Sequence, residues 1–297
     1  MLPSFLCVGA QKAGTTTLHD ILVQHPDLFL PEQKETNFFS RDELFSRGTD
    51  YYRLRFFGNA KHGQLLGEID PEYLFSEKVP PRILATLGPN IKLIFIFRNP
   101  VDRAYSHYWM SVRRTYEKLS FEKAVQMESR RILESSFSMN HFSYVARGLY
   151  VGQLNRYLAL FPKKNMKFLL FEEDIVNNRK RAIAEILKWL RVRPLSLNTE
   201  LRSNPRTIPS SHLLAAFVNR KNIIRSLGKA LLPSSNLRLN IIRKLDSMNQ
   251  KNVEIPPLEQ SLAQQIFSTY FKNDVLELES LIGRSLGIWY RRILERT

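Results

Sequence analysis

The chain is short of several things, and each shortage excludes something. It has one cysteine, Cys7, in 297 residues, so no internal disulfide can form and a reducing compartment suits it. No apolar run reaches the roughly 18 residues that a membrane-spanning helix needs. The opening "MLPSFLCVGA" has no basic segment and no cleavage site, and it reads as a first strand instead of a secretory signal. Internal repeats and low-complexity tracts are missing, which removes solenoids and long linkers. Acidic residues are scarce beside basic ones: 28 against 44, a formal net charge of +16. That balance favours polyanionic partners. Within 202–251, ten Lys and Arg face the single Asp246. No helix-turn-helix, zinc-finger or stacked-aromatic RNA-binding pattern accompanies them, so no nucleic-acid partner is expected. A solvated basic surface is the plainer reading of that stretch.

What is present suits a folded α/β protein. A 43% hydrophobic content at this length can bury a full core. "SFLCVGA" (4–10), "QLLGEID" (64–70), "IKLIFIF" (91–97) and "MKFLLFEED" (166–174) are short apolar runs with the character of buried strands. Helical spacing follows the first, at Leu18, Ile21 and Leu22, and ends at Pro26. A helix is expected to start near Pro100 to Asp102, and another covers 179–190. Strands alternating with helices imply a central parallel sheet flanked by helices, a P-loop-like three-layer α/β fold. We expect one domain over 1–297, with the sheet core in about 1–192 and a basic loop and helical part in about 193–297. The Pro- and Ser-dotted 194–211 reads as loop. The C-terminal amphipathic stretch is expected to turn Leu262, Ile266, Tyr270 and Leu276 toward the core.

The most informative segment is "GAQKAGTTTL" (9–18). Gly9 and Gly14 keep the spacing of a phosphate-binding loop, and a strand before and a helix after supply its context. The lysine is displaced, however: Lys12 lies inside the loop and Thr15 fills the usual lysine slot. Amides at such a helix start favour an anion. A Mg²⁺-nucleotide site would also need a carboxylate at a nearby strand end, but "LIFIF" ends in Arg98. Arg98 and Ser106, eight apart in "RNPVDRAYSHYW", could bracket a second phosphate through a guanidinium and a hydroxyl. Both motifs follow strand ends, where open parallel sheets bind ligands.

Taken in order, "CVGAQKAGTTTL", "HPDLFLPEQKETNFF", "YYRLRFF", "GEIDPEYLF", "FIFRNPVDRAYSHYW", "RGLYVGQLNRYLALFP" and the closing "YFKNDVLELESLIGRSLGIW" resemble the sulfotransferases of the heparan sulfate type and their bacterial relatives. The resemblance spans most of the chain. It implies 3′-phosphoadenosine-5′-phosphosulfate (PAPS) as sulfuryl donor, adenosine 3′,5′-bisphosphate as product, and no metal. It assigns Lys12, with Ala13, Gly14, Thr15, Thr16 and Thr17, to the 5′-phosphosulfate, and Arg98 and Ser106 to the 3′-phosphate. Lys12 would also stabilise the leaving phosphate, and Glu35 would be the general base. Arg206 is the candidate from the loop that closes over the donor. The acceptor implied is a hydroxyl, or less often an amine, of a carbohydrate or glycolipid, anionic sugar chains included. The basic 202–251 region offers peripheral membrane contact. Animal relatives are Golgi enzymes behind an anchor; this chain opens at its first strand, so a cytoplasmic bacterial enzyme is expected.

The chain departs from the pattern too. The heparan type carries a lysine where Ile69 stands, between Glu68 and Asp70, and its C-terminal cysteine pair is missing. Plainer readings remain open beside each assignment. Lys12 and Arg206 could be ordinary loop cations, Arg98 an ion-pair partner of Asp102 or Glu172, and Glu35 a solvated carboxylate. His107 is expected to pack instead of exchanging protons, and Tyr105, Tyr108 and Trp109 to be core. Tyr51 and Tyr52 could line an acceptor cleft. Two competing functions are a P-loop kinase or nucleotide hydrolase, and a non-enzymatic polyanion-binding module.

Overall fold

The computed structural model describes residues 1–201, 207–209, 250–252 and 255–295. They divide between two compact units. One comprises Met1–Arg103, Val145–Ser203 and Gln260–Thr297, the other Ala104–Tyr144 and Asn204–Glu259.

The first unit is built on a five-stranded, all-parallel sheet in the order β2-β3-β1-β4-β5. Strand β1 (Phe5–Gly9) lies at its centre and is buried along its whole length. A strand covered on both faces must be apolar at every position, not at alternate ones, and "FLCVG" is. Its register runs Phe5 to Gly67 on one side and Phe5 to Lys92 on the other. Helix α1 (Thr15–Leu22) follows and buries Leu18, Ile21 and Leu22. After β2 (Leu28–Phe29) come α2 (Asp42–Phe45), α3 (Gly48–Phe57), β3 (Leu65–Ile69), α4 (Glu72–Phe75), α5 (Val79–Leu87) and β4 (Lys92–Phe97).

Helix α6 (Pro100–Arg113) begins at its expected proline. Asn99 Oδ1 accepts from the amides of Val101 and Asp102 at 3.0 and 3.2 Å, which caps the helix, and Pro100 lacks only an N–H that a first turn leaves unused. The helix carries the chain into the second unit, where α7 (Phe121–Gln126), α8 (Glu128–Arg131) and α9 (Ser136–Phe142) follow. There the buried Glu117 accepts from Arg131 Nη1 at 2.7 Å and Tyr144 OH at 2.8 Å. Back in the first unit are α10 (Tyr150–Leu158), β5 (Met166–Leu170) and α11 (Arg179–Leu190).

Three expectations need correction. The fourth apolar run stops being strand at Leu170, not at residue 174. Phe171–Asn177 coils into a π-helical turn whose Asp174 carboxylate accepts from the Leu170 amide at 2.6 Å. The 194–211 stretch is not all loop, since β6 (Thr207–Pro209) pairs antiparallel with β7 (Gln250–Asn252) in the second unit. Finally, the C-terminal segment is α12 (Gln260–Ile266), a π-helical turn (Phe267–Phe271), α13 (Lys272–Ile282) and α14 (Gly287–Leu294). The wider turn advances the phase of the helix, so Tyr270 and Leu276 face outward at 37% and 52% exposure. Ile266, Phe267, Phe271, Val275 and Leu278 form the buried face instead.

Candidate functional site

Because all five strands are parallel, the segments after their carboxyl ends gather at one edge of the sheet. These are the 10–14 loop after β1, the Glu35 turn after β2, Glu68 to Asp70 at the end of β3, Arg98 after β4, and the π-helical turn after β5.

The loop is tied to β4. The Ala10 amide donates to Ile96 O at 2.8 Å, and Arg98 Nη1 donates to Lys12 O at 2.7 Å. Lys12 has φ 71° and Gly14 φ 84°, the left-handed region that glycine enters at little cost. A Cβ at Gly14 would stand 3.0 Å from both Phe171 and Ile175, so this glycine also lets the loop pack on the π-helical turn. Thr15, Thr16 and Thr17 then open α1, whose first-turn amides have no partner within the helix and give that end a partial positive charge.

Arg98 is the loop's neighbour, with its Cζ 4.7 Å above the Phe171 ring. Burial pulls its pKa down, while the charges of Asp102 and Glu172 oppose that shift. Yet these carboxylates are bound elsewhere: Asp102 pairs with Arg292 at 2.7 Å, and Glu172 accepts from the Asn99 amide and from Trp289 Nε1 at 3.0 and 2.9 Å. Among the described residues neither forms an ion pair with Arg98, and its buried Nε has no hydrogen-bond partner. The ion-pair reading of Arg98 is therefore corrected: the residue is a partly buried cation that donates to the loop.

Glu35 sits in a turn with φ 63°, followed by Asn37 at φ 56°. Its carboxylate is about half exposed and pairs with Lys34. The turn is fastened to β3 by Asp70, whose two oxygens accept the amides of Asn37 and Glu72 at 2.8 and 3.1 Å. Asp70 is buried, and desolvation first, then the charges of Glu68 and Glu35, raise its pKa well above the carboxylate range. Glu68 is buried as well and accepts hydroxyls from Thr36, Tyr52 and Tyr73. Burial raises its pKa against those hydrogen bonds. Tyr52 is wholly buried, which removes it as a cleft residue, whereas Tyr51 lies half-buried beneath Arg47, 3.6 Å from the guanidinium. Ile69 is packed in the core.

Ser106 lies on α6 within the second unit. His107, on the same helix, is buried and edge-on to Tyr144 at 5.1 Å, as a packing residue would be. Tyr105 is partly exposed and donates to Pro256 O at 2.8 Å. Arg206 and most of 202–251 lie outside the described residues. Sequence reasoning missed the hydroxyl shell of Glu68 and the burial of Arg147. The "GEID" string signalled the first only as an oddity of two carboxylates flanking an apolar strand residue.

A parallel sheet whose central strand opens through a lysine- and glycine-bearing loop into a helix defines a P-loop-like α/β protein. The sulfotransferase domain family matches residues 2–206, and the chain belongs to that family. It is 27% identical over 310 aligned positions to the human bifunctional heparan sulfate N-deacetylase/N-sulfotransferase 3, covering 99% of this chain but 32% of that protein. It is 32% identical over 167 positions to human heparan sulfate glucosamine 3-O-sulfotransferase 6, covering 56% and 46%. The chain thus spans about a third to a half of these relatives. A sulfotransferase crystal structure from Alicyclobacillus acidocaldarius is similar throughout, with TM-score 0.69, 28% identity, and coverage of 98% of this chain and 100% of that one.

Proposed function

We propose that the protein transfers the sulfuryl group of PAPS to a hydroxyl of a carbohydrate or glycolipid, with a sugar amine as the lesser possibility. The observation that carries this reading is the Arg98–Lys12 contact: a guanidinium at the end of β4 is held against the loop that ends β1, and no described carboxylate pairs with it. A Mg²⁺-nucleotide site wants an anion at that strand end; a donor with a second, 3′-phosphate wants a cation there.

The residues suit such a donor. Arg98 has a buried N–H with no partner among the described residues, and the Gly14 cradle has no room for a side chain. PAPS supplies the sulfuryl group and the leaving phosphate. Lys12 and the first-turn amides of α1 would hold the 5′ end and stabilise charge on the departing oxygen, electrostatic help of the kind that a preorganised site provides. Arg98, with Ser106, would take the 3′-phosphate. Glu35 would accept the acceptor's proton as the nucleophilic oxygen forms its bond to sulfur. Its exposure, against the burial of Glu68 and Asp70, leaves it the carboxylate open to an incoming ligand. Saccharide specificity is supported by the names of the relatives, both heparan sulfate enzymes.

Isothermal titration with adenosine 3′,5′-bisphosphate and with ATP, each with and without EDTA, tests the donor. We expect the bisphosphate to bind equally well in both buffers and ATP to bind weakly. Preference for Mg²⁺-ATP would replace this reading with the kinase or hydrolase one.

A further inference from the structure

Arg147 is the least expected cation in the first unit. It is 2% exposed and lies in a short 3₁₀ turn (Ala146–Gly148) just before α10. Its Nη2 donates to Glu72 Oε1 at 2.8 Å, and its Cζ rests 4.2 Å from the Phe75 ring centre. The backbone beside it is equally constrained, because a Cβ on Gly148 would stand 2.9 Å from Phe271 and 3.2 Å from Pro100. Those contacts occupy one face and one nitrogen. Nε and Nη1 remain buried without a hydrogen-bond partner among the described residues.

On the other side of a narrow gap is Gln11, the residue between Ala10 and Lys12. The gap is lined by Gln11, Arg147, Leu74, Phe75 and Gln153, among others, and has no room for a water molecule. Gln11 Oε1 is also buried and also lacks a hydrogen-bond partner among the described residues. Gln153 does not donate to it, since its Nε2 is spent on Ala146 O and Leu149 O at 3.1 and 2.6 Å. One dry gap therefore holds unused donors on a fixed arm and an unused acceptor on a loop. Leaving such groups unmatched is costly, and no solvent can relieve them.

We infer that Gln11 and Arg147 are two halves of a latch, and that Arg147 is a positioning residue for the donor loop. Gln11 Oε1 accepts from Arg147 when the loop closes on its anionic ligand. The loop is already held toward β4, through Ala10 and through the Lys12 carbonyl. The latch would hold it from the α4 side and so set the direction in which Lys12 points. A bond between a charged donor and a neutral amide oxygen is among the stronger ones available.

This inference rests on the donor reading above, and a double-mutant cycle separates the two. Binding of adenosine 3′,5′-bisphosphate and turnover with labelled PAPS are measured for wild type, Gln11→Leu, Arg147→Met and the pair. We expect Gln11→Leu to weaken binding about tenfold or more, as loss of one charge-assisted hydrogen bond does, and to add nothing in the Arg147→Met background. Gln11→Glu keeps an acceptor opposite the guanidinium and should lose less affinity than Gln11→Leu. If Arg147→Met does not fold, the Gln11→Leu against Gln11→Glu comparison still decides. Equal affinities for those two variants, or strictly additive effects in the cycle, would overturn the latch. A wild-type protein that ignores the bisphosphate would instead overturn the donor reading.

Discussion

Glu35 lies in the turn that Asp70, at the end of β3, fastens, and the two carboxylates have opposite surroundings. Asp70 is buried, takes two amide hydrogen bonds and has its pKa driven upward by desolvation; Glu35 is half exposed and, among the described residues, has only Lys34 as an ionic partner. A proton acceptor has to be reachable, so in the proposed reaction Glu35 is the base, while Asp70 holds the turn. Glu35→Gln is expected to lower kcat by roughly 10²–10⁴, the usual worth of a general base, with bisphosphate affinity nearly unchanged. Initial rates with labelled donor and a parallel titration check both parts. A variant with full rate would remove Glu35 from the mechanism. Lys12 and Arg98 were legible in the sequence because glycine spacing and a strand end announce them. The shell around Glu68 was not, since Thr36, Tyr52 and Tyr73 meet it only after three separate segments fold together.

At the level of elements, the loop and α1 depend on Gly14 for two separate reasons, a φ of 84° and contacts at 3.0 Å to Phe171 and Ile175. Gly14→Ala is therefore expected to cost about 1–3 kcal/mol from backbone strain and overpacking together, and to weaken bisphosphate binding. Gly152→Ala is the control: it sits in α10 with nothing within 4 Å of an added Cβ, where alanine should be neutral or gain up to about 1 kcal/mol. Urea midpoints for the two variants supply the comparison; equal midpoints would contradict the strain argument. Elements with regular periods were readable in advance, as β1, β4 and α6 illustrate. The two π-helical turns were not. Each widens one turn of backbone without any residue type that announces it, and each shifted an expected boundary or face.

Across the whole molecule, buried acids make stability depend on pH. Asp274 on α13 accepts the amides of Tyr150 and Val151 at 2.8 and 3.1 Å, capping α10, and Tyr150 in turn donates its hydroxyl to Arg98 O at 2.8 Å. Burial raises the Asp274 pKa from 3.8 to about 6. Below about pH 4 the group is protonated in folded and unfolded chains alike. Between about 4 and 6 the unfolded chain gives up this proton while the folded one keeps it, so stability falls as pH rises, and above about 6 the loss is constant. The difference of 6 and 3.8 corresponds to at most about 3 kcal/mol. Asp274→Asn should flatten the decline between pH 4 and 6, whatever its offset at a single pH. Denaturant midpoints at pH 4, 5, 6 and 7 test this, and an unchanged slope would refute it.

By itself the sequence determined the alternation of strands and helices, the parallel sheet, the altered loop and the cation at the end of β4. These follow from local rules: a strand buried on both faces is apolar throughout, and a left-handed turn selects glycine. Only the tertiary structure decided which carboxylate is exposed, which acids Arg98 does without, and that Arg147 comes to rest beside Gln11. Desolvation and long-range pairing set those outcomes, and both depend on which groups the fold brings together in space, which spacing along the chain does not encode.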